Sequence, residues 1–206
     1  MIIRIERVEH FPIEDLMERL RRVTLLKRPE VHVYEQAAIS LEQMAIDCLY
    51  PAQRYVLIQE LDKVRLLKWE LARFGHDLFQ LNGYVRLWLA GEEHPIDLLP
   101  PVVEESIERN GRVVNIINDG MHRLYVAYLE WVSPQVVFIR GVPKDLPYYA
   151  FPHPAQWRGI DLVESLPEGY LKKWHRIHDY KTLYRNFNSA FEHVGAPRGR
   201  FLKPPS

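Results

Sequence analysis

The chain has 206 residues, enough for one domain with a real core, and its 47% hydrophobic and 26% charged content is ordinary globular usage. Lys plus Arg and Asp plus Glu both number 27, so the chain carries no net charge, which argues against a generally basic grip on nucleic acid. A single cysteine, Cys48, excludes an internal disulfide and points to a reducing compartment; no apolar run approaches the ~20 residues that span a bilayer, and the charge-broken start Met1 to Arg7 does not read as a signal peptide, so a cytoplasmic protein without membrane contact is expected.

Residues 2–8 alternate weakly and suit a strand. Pro12 to Val23 reads as a short helix with Leu16, Leu20 and Val23 on one side. Glu30 to Glu35 alternates Val31 and Val33 with His32 and Tyr34, a strand pattern. Cys48 lies in Ala45-Ile46-Asp47-Cys48-Leu49 and is expected to be a small core residue. The clearest helix runs from Val56 to Phe74, where Leu57, Leu61, Val64, Leu67, Leu71 and Phe74 recur at three- and four-residue spacing and Gly75 supplies a stop. Val102 to Glu105 and Val113 to Ile117 flank the turn dipeptide Asn110-Gly111 and predict a hairpin. Leu124, Ala127, Tyr128 and Trp131 then form a helical stripe, and Gln135 to Ile139 a further strand. Past Pro143 the composition changes. Pro147, Pro152 and Pro154 alternate with Tyr148, Tyr149 and Phe151, and Tyr180 to Phe191 has helical spacing with Asp179 as its N-cap. Two units follow: 1–143, and an aromatic, Pro-rich, mainly helical subdomain over 144–206.

The chemistry concentrates in Asn118-Asp119-Gly120-Met121-His122-Arg123. A buried strand ends there, Gly120 turns the chain, and an amphipathic helix begins. The first amides of a helix lack internal partners and sit at the positive end of its dipole, a geometry that attracts phosphate. Gly120 lets backbone approach a ligand, and Arg123 offers a planar fork for phosphate oxygens. His122 can transfer a proton, while Asp119 can act as a base or a Mg²⁺ ligand. The plainer alternative makes Asp119 an N-cap and Arg123 a surface residue.

The block from Ile96 to Pro143 resembles the ParB/sulfiredoxin superfamily. Pro100-Pro101-Val102-Val103-Glu104 looks like that superfamily's proline-led strand, and Asn118 to Arg123 looks like its nucleotide box. Tyr50-Pro51-Ala52-Gln53-Arg54 extends the likeness to the Pro–Gln–Arg element of partition proteins. The resemblance implies a small mixed sheet with packed helices and phosphate binding of ATP, ADP or CTP by Asn118, Gly120, Met121, His122 and Arg123, with Gln53 and Arg54 contributing. Met121 stands where sulfiredoxins carry their nucleophilic cysteine, so sulfinic acid repair is not expected. The box is nearest to that of free-serine kinases, which implies Asp119 and His122 as catalytic residues. Glu35 is the candidate for the second acidic residue of that family.

Elsewhere, Glu104 and Glu105 offer a carboxylate, of which alternation turns only one to a given face. Lys172 and His175 lie in Lys172 to Asp179, which reads as a solvated helix face or as a basic lip over a substrate. His175 and His178 with Asp179 lack a further ligand, and the flanking cations oppose a metal there. Trp157, Trp174, Tyr180 and Tyr184 suit a compact secondary core better than a base-stacking platform. The expectation is an α+β protein that binds a nucleotide with Mg²⁺ and transfers phosphate to a small molecule, with Asp119 as the metal ligand and Glu104, Lys172 and His175 near the acceptor. The alternatives are a nucleotide-sensing module and a ParB-like DNA-associated protein. The sequence does not name an oligomeric state.

Overall fold

A computed structural model describes residues 3–108, 110–166 and 180–194. The chain opens with β1 (Ile5–Phe11), α1 (Ile13–Arg21), β2 (Thr24–Leu25), β3 (Arg28–His32) and β4 (Ala38–Gln43). It continues through β5 (Leu49–Tyr50), β6 (Tyr55–Leu57), α2 (Ile58–Arg73), β7 (Tyr84–Leu89) and β8 (Ile96–Leu98). The central block is β9 (Val102–Ile107), β10 (Val113–Asp119), α3 (Met121–Leu129) and β11 (Gln135–Arg140), followed by β12 (Asp161–Val163) and β13 (Arg185–Asn186). The fold is α+β with mixed sheets, as the strand and helix periods imply.

The organising element is a five-stranded sheet in the order β4-β11-β9-β10-β5. β9 and β10 form the antiparallel hairpin expected around Asn110-Gly111, and β11 returns parallel to β9 after α3. Each strand supplies both faces by alternation. Val103, Ile117, Val136 and Phe138 pack with α2 and α3 residues such as Leu61, Leu71 and Leu124. Val102, Ile116, Val137 and Ile139 pack on the other side with Leu16 and Leu20 of α1 and with Tyr34, Tyr148 and Tyr149. The sheet is therefore covered on both faces, which explains its near-continuous apolar runs.

The stripe expected from 56 to 74 is α2, with Leu61, Val64 and Leu71 buried. It starts two residues late because Val56 and Leu57 pair as β6 with β12. Gly75, at φ +79°, ends it, and the next amide, of His76, bonds back to the Leu71 carbonyl. Cys48 is exposed rather than in the core. A 3-10 turn over Ile46–Cys48 leads into the two-residue β5, in which Leu49 takes the buried position.

The helix expected over Tyr180 to Phe191 is not formed. Short 3-10 turns at Tyr180–Thr182 and Phe187–Ser189 flank β13, which pairs with β2. The apolar residues of this segment pack against the sheet instead of forming a helical face: Leu183 and Phe191 join the core that contains α1 and Tyr34. Trp157 enters the opposite core, where its ring stacks on Tyr128 with centroids 5.4 Å apart. Residues on both sides of position 143 thus build both cores. Trp174, and the Lys172, His175 and His178 cluster, lie outside the described residues, as does the Asp179 cap.

Candidate functional site

The strand-to-helix junction is the feature that sequence reasoning singled out, and the structure forms it. β10 runs to Asp119, Gly120 adopts the left-handed conformation at φ 83°, and α3 begins at Met121. Glycine is required here on two counts. The backbone conformation disfavours a side chain, and a Cβ would lie 2.9 Å from the Pro101 Cβ and 3.0 Å from Arg123 Nη2. The proline-led start of β9 therefore presses directly on the hinge. No side chain caps α3.

Asn118 has an unusual place in the ladder. Ile117 pairs with Val103 and Asp119 with Val102, so Asn118 is the extra residue of a bulge. A bulge re-aims the side chain it carries. Asn118 and Asp119 line two small cavities. One, of about 50 Å³, is completed by Tyr148, Tyr149, Tyr184, Arg185 and residues just after β13. The other, of about 20 Å³, is bounded by Ala52, Gln53, Ile117, Gly120 and Met121 at the start of α3. The Pro–Gln–Arg element thus meets the box in space through Gln53, whose Nε2 donates to the Tyr55 carbonyl. Arg54 holds its neighbourhood differently: its carbonyl accepts the Asp161 amide where β12 joins β6.

The charged residues of the box face inward. Arg123 is buried; Nη2 donates to Asp119 Oδ2 at 2.8 Å, and Nη1 donates to the Leu99 carbonyl. The fork expected for phosphate oxygens is therefore engaged with the protein. The reason is spacing: positions i and i+4 share a helix face, which brings the guanidinium back over the strand end. The His122 ring is half-buried, and its Nε2 accepts the Leu57 amide at 3.4 Å. Met121 is buried and contributes to the core while lining the smaller cavity. Glu35 sits exposed on the turn before β4 and lines neither cavity; Arg21 reaches its carbonyl, not its carboxylate.

Glu104 corrects an expectation more sharply. It does not face open space for a substrate, because its side chain is 1% exposed and paired with Arg185. Arg185 Nη2 donates to Oε1 at 2.7 Å and Nε donates to Oε2 at 3.1 Å. Its remaining donors reach the carbonyls of Pro147, Leu183 and Leu146, so all five guanidinium N–H groups are used. Burial is the largest influence and disfavours the charged guanidinium, but the Glu104 charge, Tyr34, the hydrogen bonds to Glu104, and Tyr148 together outweigh it and hold the group above its ordinary range. Glu104 Oε2 also accepts Tyr34 Oη at 3.2 Å and Asn118 Nδ2 at 2.8 Å. Burial, then the Glu104 charge, pushes the Tyr34 phenol well up, so it stays a neutral donor. Tyr148 Oη closes the set on the Asn118 carbonyl at 3.4 Å.

Sequence reasoning missed Arg185 and Tyr34. One signal was available. Val102, Glu104 and Ser106 share a face of β9 by alternation, so a carboxylate flanked by buried positions needed a cation somewhere in the chain. Among the described residues, no group of three or more acidic, His or Cys side chains is placed to hold a metal ion. Among them, too, no helix is long and apolar enough to cross a membrane.

The architecture is a mixed sheet whose glycine-hinged strand end feeds a helix over an ordered polar network. A family model for the ParB CE domain matches residues 15–161, and the chain belongs to that family. No curated protein and no solved structure matches. Arg185 lies beyond the matched segment.

Proposed function

We propose that the chain binds a nucleotide, ATP, ADP or CTP, with its phosphates at the N-terminus of α3. The observation that carries this reading is the Gly120 junction: a left-handed glycine, a helix start without a side-chain cap, and a cavity at that start lined by Gln53 and Asn118. Amides there favour anions. The ParB family membership supports it. Ligand pockets for whole small molecules run to roughly 300 Å³ or more. The two cavities suit phosphate oxygens or single polar groups, and the remainder of a nucleotide would lie over the surface.

Phosphotransfer to a small hydroxylated or carboxylated acceptor is the second reading. It is favoured by Asp119, the one carboxylate among the residues lining the two cavities. To serve, Asp119 would exchange its Arg123 contact for one position on a Mg²⁺ held chiefly by phosphate oxygens, or for the acceptor's proton. A sensor needs no such exchange and uses binding alone.

The test is calorimetric titration of the chain with ATP, ADP and CTP, with and without Mg²⁺, followed by product analysis. Binding that is lost in Gly120→Ala but kept in Asp119→Asn supports the phosphate site. Turnover that disappears in Asp119→Asn supports the kinase-like transferase. Binding without turnover supports the sensor. A folded chain that binds none of these nucleotides refutes the proposal.

A further inference from the structure

The Asn118 carboxamide is held in one orientation, and its acceptor is left over. Nδ2 donates to Glu104 Oε2 at 2.8 Å and to Tyr34 Oη at 2.9 Å, which uses both of its hydrogens. The flipped amide would set Oδ1 against the carboxylate and against a phenol that already gives its proton to Glu104. That arrangement places acceptors against one another, so the network fixes which atom is which. Oδ1 is buried and has no hydrogen-bond partner. Buried acceptors are nearly always satisfied, and an exception calls for a ligand or a water. Asn118 lines both cavities, one at the α3 start and one under the tyrosines.

The whole orientation depends on a distant residue. Glu104 is held in place because Arg185 binds both its oxygens, and Arg185 is anchored by three carbonyls of its own surroundings. We propose that Arg185 is a positioning residue for the box: through Glu104 it fixes Asn118 with Oδ1 as the acceptor presented at the site, and Oδ1 receives a hydrogen-bond donor, an amino or hydroxyl group, of the bound nucleotide. This deepens the nucleotide reading and rests on it. Tyr34 lines neither cavity, and Arg185, at the edge of the larger one, spends all five donors on the protein; the two set which ligands Asn118 accepts. A ligand that offers only an acceptor at this point leaves Oδ1 unpaired and faces its lone pairs.

The donor can come from the base or from the ribose, and matched pairs separate the two. Affinities are measured by titration of the intact chain with ATP against inosine triphosphate, CTP against UTP, and ATP against its 2′-deoxy and 3′-deoxy forms. Inorganic tripolyphosphate serves as the phosphate-only probe. One pair is expected to differ by about tenfold or more, the scale of one lost hydrogen bond at a buried partner. A base pair marks an amino donor and a ribose pair a hydroxyl. In Arg185→Lys, which keeps the charge but not the fork, that ratio falls toward unity while tripolyphosphate binding is unchanged. Loss of stability alone does not move a ratio measured within one variant. Should Arg185→Lys fail to fold, Tyr34→Phe removes one of the two acceptors on Nδ2 and is expected to narrow the same ratio. Level affinities across every pair in the native chain overturn the inference, since a water then satisfies Oδ1. So does a folded Arg185→Lys with the native ratio. Tripolyphosphate binding with level pairs overturns this inference alone. No binding by any probe overturns the nucleotide reading as well.

Discussion

Replacing Arg185 with Met tests how strongly the polar network holds the molecule together. The two side chains of the pair are each 1% exposed, so neither recovers water when its partner is removed. Met keeps much of the volume and all of the apolar stem. What goes is the charge facing Glu104, together with the donors to the carbonyls of Pro147, Leu183 and Leu146. Glu104 keeps Tyr34 and Asn118 as donors but loses the cation it pairs with among the described residues. Removing one partner of a buried ion pair costs about 3–5 kcal/mol. At roughly 2–4 °C per kcal/mol for a chain of this size, the melting temperature should fall by about 6–20 °C. Urea unfolding followed by circular dichroism measures the free energy directly. The double variant Arg185→Met/Glu104→Met should recover part of the loss, because the uncompensated charge goes with the second change. Recovery is incomplete since the Tyr34 hydroxyl and one of the two Asn118 Nδ2 hydrogens lose their acceptor and the three carbonyls lose a donor. A single variant within about 1 kcal/mol of the parent would refute the reasoning, placing the pair in the class of solvated surface bridges.

Gly120→Ala should destabilise the fold by on the order of 1–3 kcal/mol, from the left-handed backbone and the 2.9 Å approach to Pro101, and a thermal melt at or above that of the parent would contradict it. Arg123→Ala should cost about 1.5–3 kcal/mol of stability even without ligand, since it strips partners from Asp119 and the Leu99 carbonyl; an unchanged urea midpoint would show that the guanidinium faces solvent. Stability should decline as pH drops below about 6.5, because the unfolded chain takes up protons on His76 and His153 that the native state resists. Burial lowers both groups in the folded protein, helped by His10 beside His76 and by Arg54 near His153, so their contribution is complete above that pH and is lost toward the lower folded values. His153→Gln should flatten the acid side of the profile, and a profile of unaltered slope would remove His153 from the account.

Much of the fold follows from local signals. The α2 stripe, the Asn110-Gly111 hairpin and the strand, glycine, helix order around residue 120 are each set by neighbours within a few positions. They survive because the tertiary structure asks for the same conformation. The C-terminal aromatics misled for the opposite reason. Leu183, Tyr184, Phe187 and Phe191 have helical spacing, but β2 and the sheet face offer them more contact than a helix of their own would. Cys48 was misplaced because apolar flanks say little in a turn of three residues. At the box, residue identity announced the hinge but not the direction of its side chains. The inward turn of Arg123 follows from the i, i+4 geometry and was open to inference. The partner of Glu104 was not, because 81 positions separate the two and no local pattern marks Arg185.

That separation has a consequence for the order in which the protein can be completed. During synthesis from the N-terminus, Glu104 and Asn118 leave the ribosome well before Arg185 does. Until then the carboxylate must remain hydrated, and the sheet face that holds it cannot close. The opposite face, with α2 and α3, needs no residue later than Ile160 among its described members and can assemble first. Contacts of such long range slow folding, since loop closure precedes their reward. The polar network is therefore expected to be a late event, and a nascent chain stalled before residue 185 would carry the hinge glycine without a fixed Asn118.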